Sequence, residues 1–589
     1  MTDTLNLSEN ARTIAKKRYL KVDEKGTPLE TILEMFKRIS EFVSKAEKDV
    51  SDKKPGYKVP SDKELEQTVS DFYEIQSNLE FLSGTPLLDR GKGDYIAACY
   101  VMPIEDNIES IYGTLAETVT LHRKGAGVGY DFSLIRPEGT RVKSTGKEAS
   151  GPISFMRLYD FSSEVILNRG SVRHAGHMGI LRVDHPDIEK FINAKKDYSQ
   201  LTNFNISVAI TDKFVKAVRD NTDFNLVFKD TIYKTVSARD LLHKISSSIH
   251  ASGEPGFIFI DEINRHNTTP NVGNMTATNL CGEQPLLPYE ACNLGSVVLN
   301  RFLIREKLNQ LIPLKEKIDW KRLEFVVKKG VRFLDNTITI SHQLLPKIDE
   351  IVRFGNRKIG LGVMGWADML VELDIPYNSQ EALDLAEDLM RFINDTAHKE
   401  SEELGKLRGD FGNFKGSLWE LKGYKNMRNA TVTTLAPNGT TSLLADCNGG
   451  IEPFFAFAYQ RQNMETLGDT NLIYMNKYLE NKLKNDWLYS KDLMQEISKK
   501  GTISQIDIIP DRIKKVYVCA FDISPEWHIK MQSAFQKHTD NAVSKTINMP
   551  EDSTIYDVEN AFNLAADLKL KGLTIYRDKS RDKQVLNLK

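Results

Sequence analysis

Asn279-Leu280-Cys281-Gly282-Glu283 sets the reading of the whole chain. It places an amide, a thiol and a carboxylate at alternate positions. In an extended segment alternate side chains leave from the same side. The spacing therefore predicts one face carrying all three groups, with Leu280 and Gly282 turned away. Such a face holds a hydrogen-bonding anchor, a sulfur that can gain or lose an electron or a proton, and a base. Working outward, Cys292 follows in Ala291-Cys292-Asn293-Leu294-Gly295-Ser296, and Cys99 lies upstream in Ala97-Ala98-Cys99-Tyr100-Val101. A lone cysteine reads best as a small buried hydrophobe. Cys281, with Asn and Glu at alternate positions and a glycine beside it, reads as chemistry. Cys447 and Cys519 have no acid–base neighbours at useful spacing and read as structural, Cys519 within an apolar strand 516–520.

The chain has 589 residues, with 79 basic and 81 acidic side chains and a net charge of −2. That length suggests two to four structural units, or one large barrel with additions. Balanced charge gives no global pull toward nucleic acid or membrane, and no apolar run is long enough to span a bilayer. The start lacks the regions of a secretion signal. Five cysteines in so long a chain do not make a disulfide scaffold. A cytoplasmic protein is expected, with any disulfide transient and catalytic.

Residues 1–80 read as mostly helical, from apolar positions at helical spacing in 29–39. Residues 48–64 are polar and proline-containing and read as an exposed connection. Between about 95 and 460, short apolar runs (95–102, 204–210, 256–260, 297–299, 430–435) alternate with helical stretches, which argues for an α/β domain. Residues 466–515 read as a charged, helical, peripheral insertion, and 572–576 as a further strand.

Ala436-Pro437-Asn438-Gly439-Thr440-Thr441-Ser442 follows the apolar run 430–435. Main-chain N–H groups and hydroxyls at such a helix start suit a phosphate; an ordinary helix cap is the equal alternative. Gly360-Leu-Gly362-Val-Met-Gly365 has dinucleotide-fingerprint spacing but no good strand before it, and reads as closely packed helix glycines. Residues 124–129 read as a glycine-rich loop without a P-loop ending. The basic loop 168–177 suits an anion or plain solvation. His174 and His177 have no partners that form a metal site, and no metal is assigned.

Together these residues resemble the catalytic subunit of ribonucleotide reductase, from about residue 7 to the end. Further matching stretches are 204–208, 256–261, 358–365, 450–453 and 572–578. The resemblance implies that Cys281 carries the thiyl radical, that Asn279 and Glu283 hold and deprotonate the ribose hydroxyls, and that Cys99 and Cys292 are the pair oxidised to a disulfide at turnover. It implies that 436–442 binds the substrate diphosphate. The fold it implies is a ten-stranded α/β barrel of two antiparallel five-stranded halves, with the radical cysteine on a central loop. That divides the chain into a helical region 1–80 and a barrel 81–589 with the 466–515 insertion.

The family's oxygen-dependent members pass a radical through adjacent tyrosines near the C-terminus. Here 574–578 holds Tyr576 alone. That pattern, and 522–528, resemble the adenosylcobalamin-dependent branch. The glycyl-radical branch is disfavoured because 530–589 holds one glycine, Gly572. Asp106, Asn107, Ile108 and Arg136 fall where the family binds its effector, a ribo- or deoxyribonucleoside triphosphate with magnesium. Arg169, Arg173 and His174 lie in the loop that relays effector identity, with an unusual sequence that puts the usual base-selection rules aside. A homodimer is expected, with no overall-activity switch before the core-like 7–12. Leu280 stands where the family has proline. No cysteine follows Cys519, so the disulfide's reductant is expected to be a thioredoxin-like protein, another dithiol, or a separate tail-bearing partner. The alternatives are a large subunit awaiting a metal-containing radical subunit, and a nucleotide-binding regulator without turnover.

Overall fold

A computed structural model describes residues 5, 7–89, 97–167, 176–197, 199–291, 293–341, 343–461, 472–580 and 586–587. Arg169, Arg173, His174 and Cys292 lie outside them. Five strands run parallel side by side: β1 (Cys99–Val101), β2 (Gly127–Asp131), β3 (His177–Arg182), β4 (Phe204–Ile210) and β5 (Gly256–Phe259). β4, flanked on both sides, is buried from Ile206 to Ile210 and apolar there but for Ser207, as suits a parallel strand covered on both faces. The second half begins with β6 (Leu294–Val298) beside β7 (Gly360–Met364), parallel. The stretch 431–435 bridges β7 at Leu361↔Thr433 and the next stave at Leu435↔Val543. That stave continues as β8 (Thr546–Met549), parallel to β9 (Gly572–Arg577).

The halves join antiparallel at two seams. At one, Gly572 and Leu573 of β9 pair with Ile258 and Phe257 of β5. At the other, Tyr100 bridges Ala291, and the Tyr289 N–H donates to the Val101 carbonyl at 2.7 Å. Nine strands and the stretch 431–435 therefore close into a barrel of ten staves. Closure removes open sheet edges and encloses an interior.

Several local expectations give way here. Residues 360–364 are a buried strand, not helix glycines, with Gly365 at φ 75° starting helix Trp366–Glu372. The 124–129 stretch ends in β2 rather than in a loop. Residues 511–516 are helical, and Cys519 sits on an isolated bridge to Phe454, so 516–520 is no strand. The insertion's helices (Lys477–Asn485, Lys491–Lys500, Asp511–Val516) pack around an apolar cluster that joins Leu479, Leu483 and Ile497 to Ala367 and Val371 of helix Trp366–Glu372.

The N-terminal helices Ile32–Ser44 and Asp62–Ser77 both open with capping boxes, Thr31 with Glu34 and Ser61 with Glu64. They lean on helix Trp320–Ile340, which also packs on β6 and β7. The 48–64 connection is not simply exposed. The side chains of Asp52 and Lys53 are fully buried, Asp52 against Arg357 at 2.6 Å. Asp335 accepts from Arg357 and Arg408, each at 2.7 Å, and Glu47 accepts from Arg408 at 2.6 Å. These charges tie the helical region to the barrel.

A second buried cluster lies on the outer face of the first half. Ser163 Oγ is 2.6 Å from His177 Nε2 and 3.0 Å from His122 Nδ1, and His177 Nδ1 is 3.2 Å from the Tyr130 hydroxyl. The plain-solvation reading of 168–177 thus fails for His177, which begins β3. Burial holds His122 down to about 4 and His177 well below its ordinary value. Unfolded, both titrate near 6.5, so below that pH the unfolded chain takes up protons the fold refuses, and stability falls as pH drops. Glu283 and Asp368, held up at about 7 and about 6, act in the opposite sense. The variant comparison isolates the histidine. Between pH 6.5 and 4 the unfolding free energy of His122→Asn should vary less steeply than the parent's, by about 1 kcal/mol per pH unit. Parallel curves in urea melts would refute this.

No helix among the described residues is long and apolar enough to cross a membrane.

Candidate active site

Asn279–Gln284 forms the tip of a hairpin. Its legs are Ala277–Thr278 and Pro285–Leu286, paired antiparallel with Thr278 opposite Pro285. The tip is not the extended segment that alternation predicts. The Gly282 N–H returns to the Asn279 carbonyl at 3.3 Å, and Gly282 takes φ 78°, a conformation glycine adopts without strain. The turn still gathers Asn279, Cys281 and Glu283 at one end.

The hairpin sits inside the barrel. A Cβ on Gly127 would stand 2.3 Å from a Leu280 methyl, and one on Gly129 would stand 1.9 Å from the Thr278 carbonyl oxygen. The glycines of β2 therefore make the groove in which the hairpin lies. Asn205 of β4 donates to the Leu280 carbonyl at 3.1 Å, and the Ala542 N–H donates to the Glu283 carbonyl at 3.0 Å. Both halves of the barrel hold the tip.

The orientation of Asn279 follows from its bonds. Its Oδ1 accepts the Gln284 N–H at 3.0 Å. That leaves Nδ2, a donor, buried and without a partner, as is Oε2 of Glu283. An unmet buried polar atom costs about 1–3 kcal/mol, and such atoms ask for an explanation, a ligand among them. Cys281 differs: it is an exposed residue. Burial, then Glu283, then Cys99 hold its thiol well above the ordinary range. Cys99, half-buried on β1, is thus close enough to act on it. Burial also lifts Glu283 to about 7, against a backbone N–H and the Asn279 amide, which lies near enough to favour the carboxylate though outside hydrogen-bond geometry.

Gln284 passed unremarked in the sequence, where nothing separates it from an ordinary polar residue. Its Nε2 donates to Thr434 Oγ1 at 2.7 Å, and Asn541 donates to the same oxygen at 2.6 Å. The hairpin base therefore hangs on the stave that runs straight into 436–442. In that turn Asn438 has φ 56°. Its Oδ1 accepts from Ser296 of β6 at 3.0 Å and its Nδ2 donates to the Val363 carbonyl of β7 at 3.2 Å. Thr440 precedes helix Thr441–Ala445 without a side-chain capping bond. The capping role that competes with phosphate binding is not made by Thr440.

Asp106 and Arg136 are brought together, with Arg136 Nε donating to both Asp106 oxygens at 2.9 Å. Asn107 caps helix Ile108–His122 by accepting the Ser110 N–H at 2.7 Å, and Ile108 is exposed. A surface cleft of about 570 Å³ is lined by Glu138, Arg157, Lys190 and neighbours. It lies away from the hairpin, and Glu138 and Lys190 pair with each other at 2.8 Å. The thiol, the perturbed carboxyl and the orphaned polar atoms make the hairpin the candidate site instead.

Residues 97–576 match the family description "Ribonucleotide reductase, barrel domain", and residues 5–88 match "Ribonucleotide reductase, all-alpha domain". The chain is 40% identical to a vitamin B12-dependent ribonucleoside-diphosphate reductase of Thermoplasma acidophilum, over 99% of this chain and 80% of the relative. It is 41% identical to a protein of the same name from Mycobacterium tuberculosis, over 99% and 81%. The fold is similar to that of the Actinobacillus ureae class Id ribonucleotide reductase alpha subunit, with a TM-score of 0.77, 21% identity and 98% of each chain covered.

Proposed function

The chain belongs to the ribonucleotide reductase family, and on that premise we propose that it converts ribonucleoside diphosphates to 2′-deoxyribonucleotides by a thiyl-radical route dependent on adenosylcobalamin. The observation that carries this reading is the hairpin tip, where an accessible Cys281 thiol stands with the orphaned Nδ2 of Asn279 and Oε2 of Glu283. The family's barrel and its relatives' names support the rest.

Cys281 stays a thiol at neutral pH, because burial and its two neighbours raise its pKa. A thiol holds the hydrogen atom that a radical oxidant must remove; a thiolate does not. Cys281 is an exposed residue, as a group that would meet a bound cofactor needs to be. Adenosylcobalamin, when bound, supplies a carbon radical for that hydrogen. Asn279 donates from Nδ2 to a ribose hydroxyl oxygen. Glu283, poised near 7, accepts the 3′-hydroxyl proton as Cys281 takes the 3′ hydrogen, and so helps expel the 2′-hydroxyl as water. Two S–H bonds then break and one S–S bond forms: one hydrogen leaves in the water and one remains on C2′. Glu283 then returns its proton to the 3′ oxygen, and Cys281 returns its hydrogen to C3′ and is a thiyl again. Cys99 and Cys292 are that pair in this reading. The Tyr100↔Ala291 bridge, one position from each in sequence, supports it. A thioredoxin-like protein or another dithiol resets them.

The turn 436–442 holds the diphosphate. Asp106, Asn107, Ile108 and Arg136 form the effector site, with Arg169, Arg173 and His174 relaying to the base. The helical region ends near residue 80. A homodimer forms through the apolar face of Ile108 and Tyr112 with Phe161 and Val165, each half exposed or more.

Purified chain, adenosylcobalamin, a dithiol and a ribonucleoside diphosphate, kept dark and anaerobic, should yield the deoxynucleoside diphosphate. Product from the triphosphate alone would change the substrate class. Silence with both would sink the reading and favour a separate radical subunit or a binding-only protein.

A further inference from the structure

The turn 436–442 contains no charged side chain. Its surroundings add little. Lys477 is committed to Asp446 at 3.0 Å, and Arg301 donates to the Ala445 carbonyl at 3.2 Å, at the far end of the short helix. One cation is hydrogen-bonded to the turn itself. Arg18 Nη1 donates to Thr440 Oγ1 at 3.3 Å, the hydroxyl that makes no cap. Arg18 comes from the N-terminal helical region, 422 residues away in sequence. It is half-buried, and no carboxylate forms an ion pair with it among the described residues. A half-buried arginine without a carboxylate is uncommon, since burial of a charge asks for a counter-charge.

The local backbone presents Arg18. Ala15–Tyr19 is a π-helical turn, with the Leu20 N–H reaching back to the Ala15 carbonyl at 2.9 Å. Such turns are rare and concentrate at functional sites. Ala15 and Tyr19 are fully buried on either side, and the Tyr19 hydroxyl lies 3.4 Å from Thr85 Oγ1. The backbone is anchored around Arg18, and its guanidinium keeps unused donors beside a neutral turn. A guanidinium matches phosphate oxygens in charge and in donor geometry.

We propose that Arg18 is a substrate-binding residue that supplies the positive charge for the diphosphate at 436–442, so that the helical region completes the active site rather than only supporting the barrel. This rests on the reading of 436–442 as the diphosphate turn. The contact with Thr440 is the resting arrangement. A charged phosphate oxygen is a better acceptor than a neutral hydroxyl, so Arg18 exchanges one for the other when substrate enters.

The test needs no cofactor. Protection of Cys281 from maleimide, followed by mass spectrometry while a ribonucleoside diphosphate is titrated, reports occupancy of this site alone. The unphosphorylated ribonucleoside is titrated in parallel. Arg18→Gln should weaken protection by the diphosphate about 10- to 100-fold and leave protection by the nucleoside unchanged. Arg18→Lys should recover much of the loss. Melting temperatures report whether the variants are folded. Protection within twofold of the parent's would overturn the proposal while leaving the function standing. An equal loss for nucleoside and diphosphate would also overturn it, making Arg18 a tether between the two regions. A parent that the diphosphate does not protect would overturn the reading of the turn itself, and Arg18 with it.

Discussion

Cys281→Ser is expected to bring deoxynucleotide formation down to background, a loss of at least about 10⁴-fold, with diphosphate affinity held within about twofold. Serine fills nearly the same space at a hairpin tip whose shape is set elsewhere. Gly282 supplies the positive φ, Asn279 and Gln284 exchange main-chain and side-chain bonds, and Ala542 and Asn205 hold the flanking carbonyls. None of these contacts uses the sulfur. What changes is the bond to hydrogen. A hydroxyl holds its hydrogen too strongly to yield it to a carbon radical or to pass a radical on to the ribose. Glu283→Gln makes the companion measurement. It keeps the shape but cannot take a proton, and should cost about 10² to 10⁴-fold. In the parent, kcat/KM should rise with pH through about 7 as Glu283 loses its proton. Substantial product from Cys281→Ser would remove this residue from the chemistry.

Much of this site was legible because its chemistry is compressed into five residues. Asn279, Cys281 and Glu283 stand out by type and spacing whatever the backbone does. The backbone itself was not legible. Alternation over so short a stretch does not separate a strand from a hairpin tip, and the bonds that impose the turn come from Asn205 and Ala542, far along the chain. The same limit hid Gln284, whose significance lies in Thr434. Strand β7 was missed for a related reason. Gly360 and Gly362 dilute its apolar run, and their purpose appears only with the neighbouring stave in place: a Cβ on Gly362 would lie 2.3 Å from the Thr434 carbonyl oxygen. The parallel strand β4 was found with its bounds intact, because a strand buried on both faces carries its own apolar signal. Asp52 and Lys53 sit in a polar, proline-containing stretch that looks solvated by every local measure. Only the buried partners beyond them, Arg357 against Asp52 and Asp335 against Arg357, show otherwise.

Those partners set the largest effect expected on stability. Asp335→Asn should destabilise the protein by about 3–5 kcal/mol. Its carboxylate is fully buried and touches three guanidinium groups, with Arg357 and Arg408 at 2.7 Å and Arg428 at 3.3 Å. Burial alone would raise its pKa, yet Arg357, Arg428 and Arg408 hold it well below the usual carboxylate range. The arginines dominate, so the group is ionised in the fold. Glu47, lowered to about 2 mainly by Arg408 and Arg332 against burial, and Asp52 share the remaining charge. Neutralising Asp335 leaves four buried cations, the three arginines and Lys53, facing two carboxylates, and an unpaired buried charge costs far more than a surface pair contributes. The exposed Lys216–Asp220 pair provides the contrast, since Asp220→Asn should change stability by about 0.5 kcal/mol or less. Because Glu47 and Asp52 belong to the helical region and Asp335 to the barrel side, the loss should appear first as separation of the two. Hydrogen exchange should show helix Ile32–Ser44 losing protection in Asp335→Asn before β4 does. A midpoint shift in denaturant no larger than that of Asp220→Asn would mean that the arginines are satisfied without Asp335, and that the tie between the two regions lies elsewhere.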